Sequence, residues 1–342
     1  MEEQKPQQPE DPPAKPEGLL YHYTTLDGLL GILKSGSIRA THVRYLNDIT
    51  EIKNAFRPKY THVLLDALFP AAGEDLKVEL SRQMEPATGK YDTFVISFTD
   101  DCALPKVDGV KPGDRLSQWR AYSGVSGGFS LGFDSKRLLE GWERCRLKDA
   151  GAAVYLVRCK YLESEKLGIA RNIGLKHLER LEADVASKIG KFLETHSRPP
   201  NQNETDELKR ACLVQSVGTA FTDYFLEASS FKDEAFAEEH EWRAVFHVVR
   251  KQLMELQNAD TSKPVIHFRA GKFGVTPYAE FPLNLGTAES PLRKILVGPT
   301  PHWKEAVEAV RFLLQTNGVK VQCNESGEGI EVVESKIPYR NW

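Results

Sequence analysis

The sequence predicts an α+β fold rather than a doubly wound sheet, and three observations carry that reading. Strand and helix patterns are mixed along the chain without regular alternation. Residues 20 to 52 read as a strand, a capped helix and a second strand. Between about residues 162 and 230, two long helical patterns replace the strands. These two helices make too thin a core for a separate domain, so they are read as a hairpin inserted between strands of one domain. That domain spans residues 19 to 342 and follows a tail of residues 1 to 18. Pro6, Pro9, Pro12, Pro13 and Pro16 stand among charged and amide residues there, and such a composition is expected to stay disordered.

In the opening unit, Leu20 to Tyr23 forms a short apolar and aromatic strand containing His22. Thr24 is the expected N-cap, with Asp27 in the capping-box place three residues on. Leu26, Leu29, Leu30 and Leu33 recur at helical spacing, and Gly36 supplies the left-handed stop. Ile38 to Val43 returns as a strand. His22 is therefore expected close to a helix N-terminus, where free N–H groups meet polar or anionic ligands. A core histidine bonded to a nearby carbonyl is the ordinary alternative.

Asn47 or Asp48 can cap the next helix, with Glu51 in its first turn. Helical spacing continues through Tyr60, Val63 and Leu64 and is interrupted at Pro58. Residues 71 to 90 read as a helix with a loop, Thr93 to Thr99 as a strand, and residues 100 to 115 as a loop. Trp119 and Tyr122 then share one side of a helical turn. The strand that follows puts Phe129, Leu131 and Phe133 on one face and Gly128, Ser130 and Gly132 on the other. The second face is bare, open either to tight sheet packing or to a ligand. Ala153 to Lys160 is another strand.

After the hairpin, an acidic run enters a strong strand. Alternation puts Glu239, Glu241, Arg243, Val245 and His247 on one face, with Trp242, Ala244, Phe246 and Val248 on the other. Two carboxylates and a guanidinium thus share a face, as a plain ion pair or as a held catalytic acid. Val265 to Phe268, Phe281 to Leu283 and Leu292 to Val297 read as strands. Trp303 to Leu314 reads as an amphipathic helix, Val319 to Gln322 as the final strand, and residues from Glu334 on as an extended tail.

Hydrophobic residues at 41%, charged residues at 27% and a net charge of −3 are ordinary for a globular chain. They lack the bulk basic character of a nucleic-acid binder, though a local patch stays open. Cys102, Cys145, Cys159, Cys212 and Cys323 are odd in number and widely spaced, which excludes a Cys-x-x-Cys zinc or dithiol motif and fits a reducing cytoplasm. No signal-like N-terminus and no long apolar run occurs, so no membrane segment is expected. The glycines match neither dinucleotide nor P-loop spacing, and no metal is signalled.

One ordered set of motifs is specific: Tyr21-His22-Tyr23-Thr24, Tyr45-Leu46-Asn47-Asp48-x-x-Glu51, Ser117-Gln118-Trp119-Arg120-x-Tyr122, Phe236-x-x-Glu239-x-Glu241-Trp242-Arg243, Val297-Gly298-Pro299 and Ser335-x-Ile337-Pro338-Tyr339-Arg340. Over residues 19 to 341 this set resembles the bacterial family known as domain of unknown function 2971, which is associated with phage-defence genes. More distantly, the Tyr-His-x-Thr strand and its Gly-x-Ile helix end resemble the first motif of ADP-ribosyltransferases. That resemblance implies mixed, mainly antiparallel sheets around a central cleft that binds NAD as a substrate.

Carried over, His22 holds a ribose hydroxyl, Tyr122 stacks near the nicotinamide, and Glu241 or Glu239 takes the acid position. Tyr23, Thr24 and Trp119 fall within the carried motifs as cofactor-binding residues, and Arg120 and Arg243 are candidates for the pyrophosphate. The tyrosine departs from the family pattern because it follows Gln-Trp-Arg. Cleaving the nicotinamide–ribose bond develops an oxocarbenium cation, which a carboxylate stabilises. The acceptor is expected to be nucleic acid or protein, or water if NAD is hydrolysed. On this reading Glu241→Gln abolishes turnover with little change in stability. A non-enzymatic ligand- or partner-binding sensor using Trp119 and the glycine face, and a metal-independent nuclease using His22 and Glu241, are the alternatives.

Overall fold

One ten-stranded sheet organises the chain, in a computed structural model that describes residues 16, 18–46, 57–87, 90–100, 112–124, 127–260, 262–271, 274–322 and 329–338. Its strands are β1 (Leu19–Thr25), β2 (Ser37–His42), β3 (Tyr91–Asp100), β4 (Gly128–Asp134), β5 (Ala153–Arg158), β6 (Glu241–Val249), β7 (Ile266–Gly271), β8 (Gly274–Pro282), β9 (Leu292–Val297) and β10 (Glu331–Glu334). The helices are α1 (Leu26–Ser35), α2 (Pro58–Leu68), α3 (Glu74–Ala87), α4 (Leu116–Tyr122), α5 (Ser135–Gly141), α6 (Glu163–His196), α7 (Gln202–Ala228), α8 (Arg250–Ala259) and α9 (Trp303–Thr316). The fold is thus mixed α+β with a mostly antiparallel sheet; among the named strands only β9 and β10 pair in parallel. Among the described residues no helix is long and apolar enough to cross a membrane.

The strand order runs β10-β9-β4-β1-β3-β2-β8-β7, and β6 joins β3 to β5. The branching falls at β3. Thr99 pairs with both Tyr21 and Glu241, and Val95 with both Thr41 and Val245. Thus β6 runs along one edge of β3, while β1 and β2 share the other. They meet that edge at different places, Tyr21 opposite Thr99 and Thr41 opposite Val95, and leave a gap over residues 96 to 98. A hydrogen-bonding edge left open inside a sheet needs other partners.

The main core lies on the face lined by Leu20, Phe94, Phe98, Trp242 and Phe246, where Leu29, Ile32 and Leu33 of α1 and Val307, Val310 and Leu314 of α9 pack. The α1 stripe forms as its spacing predicts, and Gly36 closes it at φ 65° with its N–H on Ile32 O at 2.9 Å. The cap is Thr25, not Thr24: β1 extends two residues further than expected, and the Thr25 hydroxyl accepts from Gly28 N at 3.2 Å.

The hairpin of α6 and α7 does connect two neighbouring antiparallel strands, β5 and β6. It does not stand alone: α2 packs on it, and Leu64, Leu65, Ala170, Ile173, Ala220 and Tyr224 form a second core. Pro58 starts α2 rather than breaking a helix, since an N-terminal proline lacks only an orphan N–H. The expected strand at residues 319 to 322 makes only a bridge, Val321 to Ile330; the last strand is β10, which ends at Glu334, where the extended tail was expected to begin. The strand around Phe281 is longer than expected and pairs with β2 and β7. Residues 1 to 15, the Asn47, Asp48 and Glu51 cap, and Arg340 lie outside the described residues.

Candidate functional site

A pocket of about 500 Å3 opens beside the gap in the sheet. Three segments far apart in sequence reach it: His22 from β1, Tyr122 from α4, and Glu239, Glu241 and Arg243 from the entry to β6. Alternation sets the sides. Ile38 and Ala40 of β2 and Phe94, Ile96 and Phe98 of β3 belong to the core, while Arg39, Thr41, Ser97 and Thr99 stand on the opposite face.

His22 shares its side with Leu20 and sits edge-on to Phe98, with ring centroids 6.2 Å apart. Its Nδ1 lies 2.9 Å from Ser97 O, a carbonyl in the gap. A carbonyl only accepts, so Nδ1 carries the proton and Nε2 keeps its lone pair. Burial pushes the imidazole below its ordinary value; the Ser97 bond opposes this, and the nearby Arg269 charge adds to it. His22 is thus a neutral histidine held by a main-chain carbonyl, as the ordinary alternative has it, and it also lines the pocket.

The acid wall is a buried ion cluster. Glu241 Oε1 accepts from Arg243 Nε at 2.8 Å, and Oε2 accepts from Arg243 Nη2 at 3.2 Å and from Lys232 Nζ. Burial alone would raise this carboxyl; the charges of Arg243 and Lys232 outweigh it and hold the group at about 2. Arg243 also donates to Ser229 O at 3.0 Å, so both the guanidinium and the Glu241 carboxylate are committed to each other and to the wall.

Glu239 reaches the same place from a different element. It lies in a 3-10 turn, Glu234–Glu239, not on the strand, and His240 at φ 44° turns the chain into β6. One Glu239 oxygen accepts from Lys232 Nζ; the other has the Tyr122 hydroxyl at a loose 3.5 Å. Burial, and then the Glu239 charge, keep that hydroxyl protonated. Glu239 is therefore the carboxylate with capacity to spare toward the pocket. Lys232, which bridges both glutamates, had no spacing signal in the sequence. Arg39 and Thr41 were missed as well, although the Ser-Ile-Arg-Ala-Thr alternation puts them on one face.

The other residues of the carried motifs lie elsewhere. Trp119 is 1% exposed, packed edge-on against Tyr23 at 4.9 Å, with Nε1 donating to Asp114 at 2.8 Å. Asp114, completely buried, also accepts from the Ser335 hydroxyl at 2.5 Å and from Lys336 N at 2.7 Å. The C-terminal Ser-x-Ile motif is thus an anchor for the start of α4, with Ile337 packed on the Tyr23–Trp119 cluster. Tyr23 lines the pocket with its body while its hydroxyl accepts from Arg115 N at 3.1 Å. Arg120 is exposed, and Thr24 is half-buried; neither lines the pocket. The glycine face is occupied by packing: a Cβ on Gly128 would fall 2.2 Å from Ser123 Oγ, and one on Gly132 would fall 3.0 Å from the Tyr21 ring.

No curated protein and no solved structure matches the chain. Residues 118–244, the stretch that carries Tyr122, the hairpin, Lys232 and both glutamates, match the model of the family described as protein of unknown function (DUF2971), and to that extent the chain is similar to this family.

Proposed function

We propose that the protein is an NAD-consuming enzyme of the ADP-ribosyltransferase kind, in the bacterial-defence setting that the family resemblance implies. The observation that carries the reading is the meeting of His22, Tyr122 and Glu239 around one pocket. With Nδ1 engaged by Ser97 O, neutral His22 keeps the Nε2 lone pair as the acceptor for a ribose hydroxyl in this reading. The Tyr122 ring offers a face to the nicotinamide. Glu239 supplies the negative charge that an oxocarbenium centre needs, and Lys232 holds that carboxylate still.

In the step itself, the bond between nicotinamide nitrogen and ribose C1′ breaks and nicotinamide leaves with the electron pair. The acceptor, a protein or nucleic-acid nucleophile or water, bonds to C1′ and gives up its proton. Wild-type protein incubated with nicotinamide-labelled NAD, alone and with protein or nucleic acid, is expected to release free nicotinamide. Absence of release under all three conditions overturns the reading.

The saturation of Glu241 by Lys232 and Arg243 favours a second reading, a sensor that binds without chemistry. That reading expects no nicotinamide release but a ligand-induced rise in melting temperature.

A further inference from the structure

Besides Lys232 and Arg243, which hold the glutamates, the lining of the pocket carries the cation Arg39 of β2. Arg39 and Thr41 alternate with core residues on β2, and both line the pocket. On the neighbouring strands, Tyr278 faces Thr41, and Arg269 stands two pairs further along the β7–β8 ladder, opposite Thr276. The Arg39 guanidinium lies over the Tyr278 ring, 5.0 Å from its centroid, and the His267 ring stacks with Tyr278 at 5.5 Å. Arg269 Nη2 donates to Thr41 Oγ1 at 3.1 Å.

Neither guanidinium forms an ion pair among the described residues, and Glu280, across the ladder from Arg39, is not in ion-pair contact with it. The two charges feel each other. Burial first, and Arg39 next, push Arg269 below its ordinary value. Two like charges side by side, with no counterion among the described residues, repel, the more weakly because Arg269 is exposed, and a bound anion relieves that repulsion. A guanidinium braced on an aromatic ring is pre-oriented, and its planar fork matches phosphate oxygens. Arg120 and Arg243, the cations that the motifs suggested for a pyrophosphate, are respectively away from the pocket and committed to Glu241.

We propose that Arg39 and Arg269, with the Thr41 hydroxyl, form a diphosphate-binding subsite, so that the ligand of this pocket is a nucleoside diphosphate or a conjugate of one. The proposal rests on the functional reading above for the orientation of an NAD diphosphate, but the subsite itself is tested without any turnover.

Calorimetry with ADP, and with adenosine as the phosphate-free control, is done on the wild type, Arg39→Gln, Arg269→Gln and the double variant; melting curves establish that each is folded. Arg39→Lys, which keeps charge and loses the fork, covers the case in which Arg39→Gln fails to fold. The wild type is expected to bind ADP at least about tenfold more tightly than adenosine. Each Gln variant is expected to weaken ADP about tenfold or more without changing adenosine, with Arg39→Lys in between.

ADP binding no tighter than adenosine, or equal in wild type and the folded variants, overturns the subsite. If wild-type protein releases no nicotinamide from NAD while ADP binding still depends on both arginines, the enzymatic reading falls and the subsite stands. If NAD is consumed with the same KM in the wild type and the double variant, the subsite falls and the enzymatic reading stands.

Discussion

Glu239 and Glu241 are two residues apart, yet their surroundings ask different things of a mutation. Glu241 is 3% exposed and shared between Lys232 and Arg243. The sequence led to the expectation that Glu241→Gln would leave stability nearly unchanged, as it would on a solvated strand face; the burial of this cluster reverses that expectation. Removing one partner of a buried ion pair costs about 3–5 kcal/mol, because the remaining charges lose their counterion. Urea unfolding of Glu241→Gln is expected to show a loss of about 3 kcal/mol or more, and a loss below about 1 kcal/mol would mean that the cluster is not holding the wall.

The acid response follows from the same groups. Glu241, held at about 2 from 4.5, contributes stability that is present above pH 4.5 and is lost as pH falls through about 2. His247 works in a higher window. It is buried between Thr93, whose hydroxyl is 2.7 Å from Nδ1, and Ser229, 3.1 Å from Nε2, with the Tyr155 and Phe225 rings alongside. Burial pushes it from 6.5 to about 3. Below pH 6.5 the unfolded chain takes up a proton that the folded chain refuses, so stability falls as pH drops. Between pH 6.5 and 5 this amounts to at most about 2 kcal/mol. Unfolding free energies at pH 7 and pH 5 are expected to differ less in His247→Gln than in the wild type. An unchanged difference would remove His247 from the account.

At the scale of elements, what was legible followed periodicity. The α1 stripe, the α6–α7 hairpin and the alternation of β6 were all readable from spacing, because each packs an apolar side against a core, although β6 buries its polar side as well. What was not legible depended on partners elsewhere. The bare glycine face of β4 is as consistent with a ligand as with a ring, and only the fold brings Tyr21 over it. Residues 250 to 259 and 331 to 334 are short and strongly polar at several positions, so their patterns are weak without the neighbours they lie on.

The hairpin depends on one close approach. A Cβ on Gly174 of α6 would stand 2.4 Å from Leu64 O and 2.6 Å from Ala67 Cβ on α2. Alanine gains roughly 0.5–1 kcal/mol in helix propensity over glycine, whereas forcing two helices apart costs about 1–3 kcal/mol. Gly174→Ala is therefore expected to lower the melting temperature; an equal or higher one would show that α2 and α6 do not touch as described.

At the scale of the whole molecule, the site exists because the sheet branches. β1 and β2 leave β3 at different points, and the resulting gap admits His22 to a pocket whose other walls come from α4 and from the turn before β6. The individual residues could be singled out in the sequence, and so could the strand of His22, the helical turn of Tyr122 and the strand of Glu241, whereas Glu239 was read onto that strand and stands in the turn before it. Their meeting was not readable, since the register that sets Tyr21 opposite Thr99 and Glu241 opposite the same residue is a long-range property. Trp119 looked like a site residue because it shares a helical turn with Tyr122, but it faces Tyr23 and Asp114.

The most direct test is the rate of nicotinamide release from NAD by Glu239→Gln, measured beside its unfolding free energy. Glu239 is on a turn with one oxygen only loosely engaged, so the variant is expected to stay folded and to lose on the order of 100-fold or more in rate. A folded Glu239→Gln protein that releases nicotinamide at the wild-type rate would contradict the assignment of this pocket as the site of NAD cleavage.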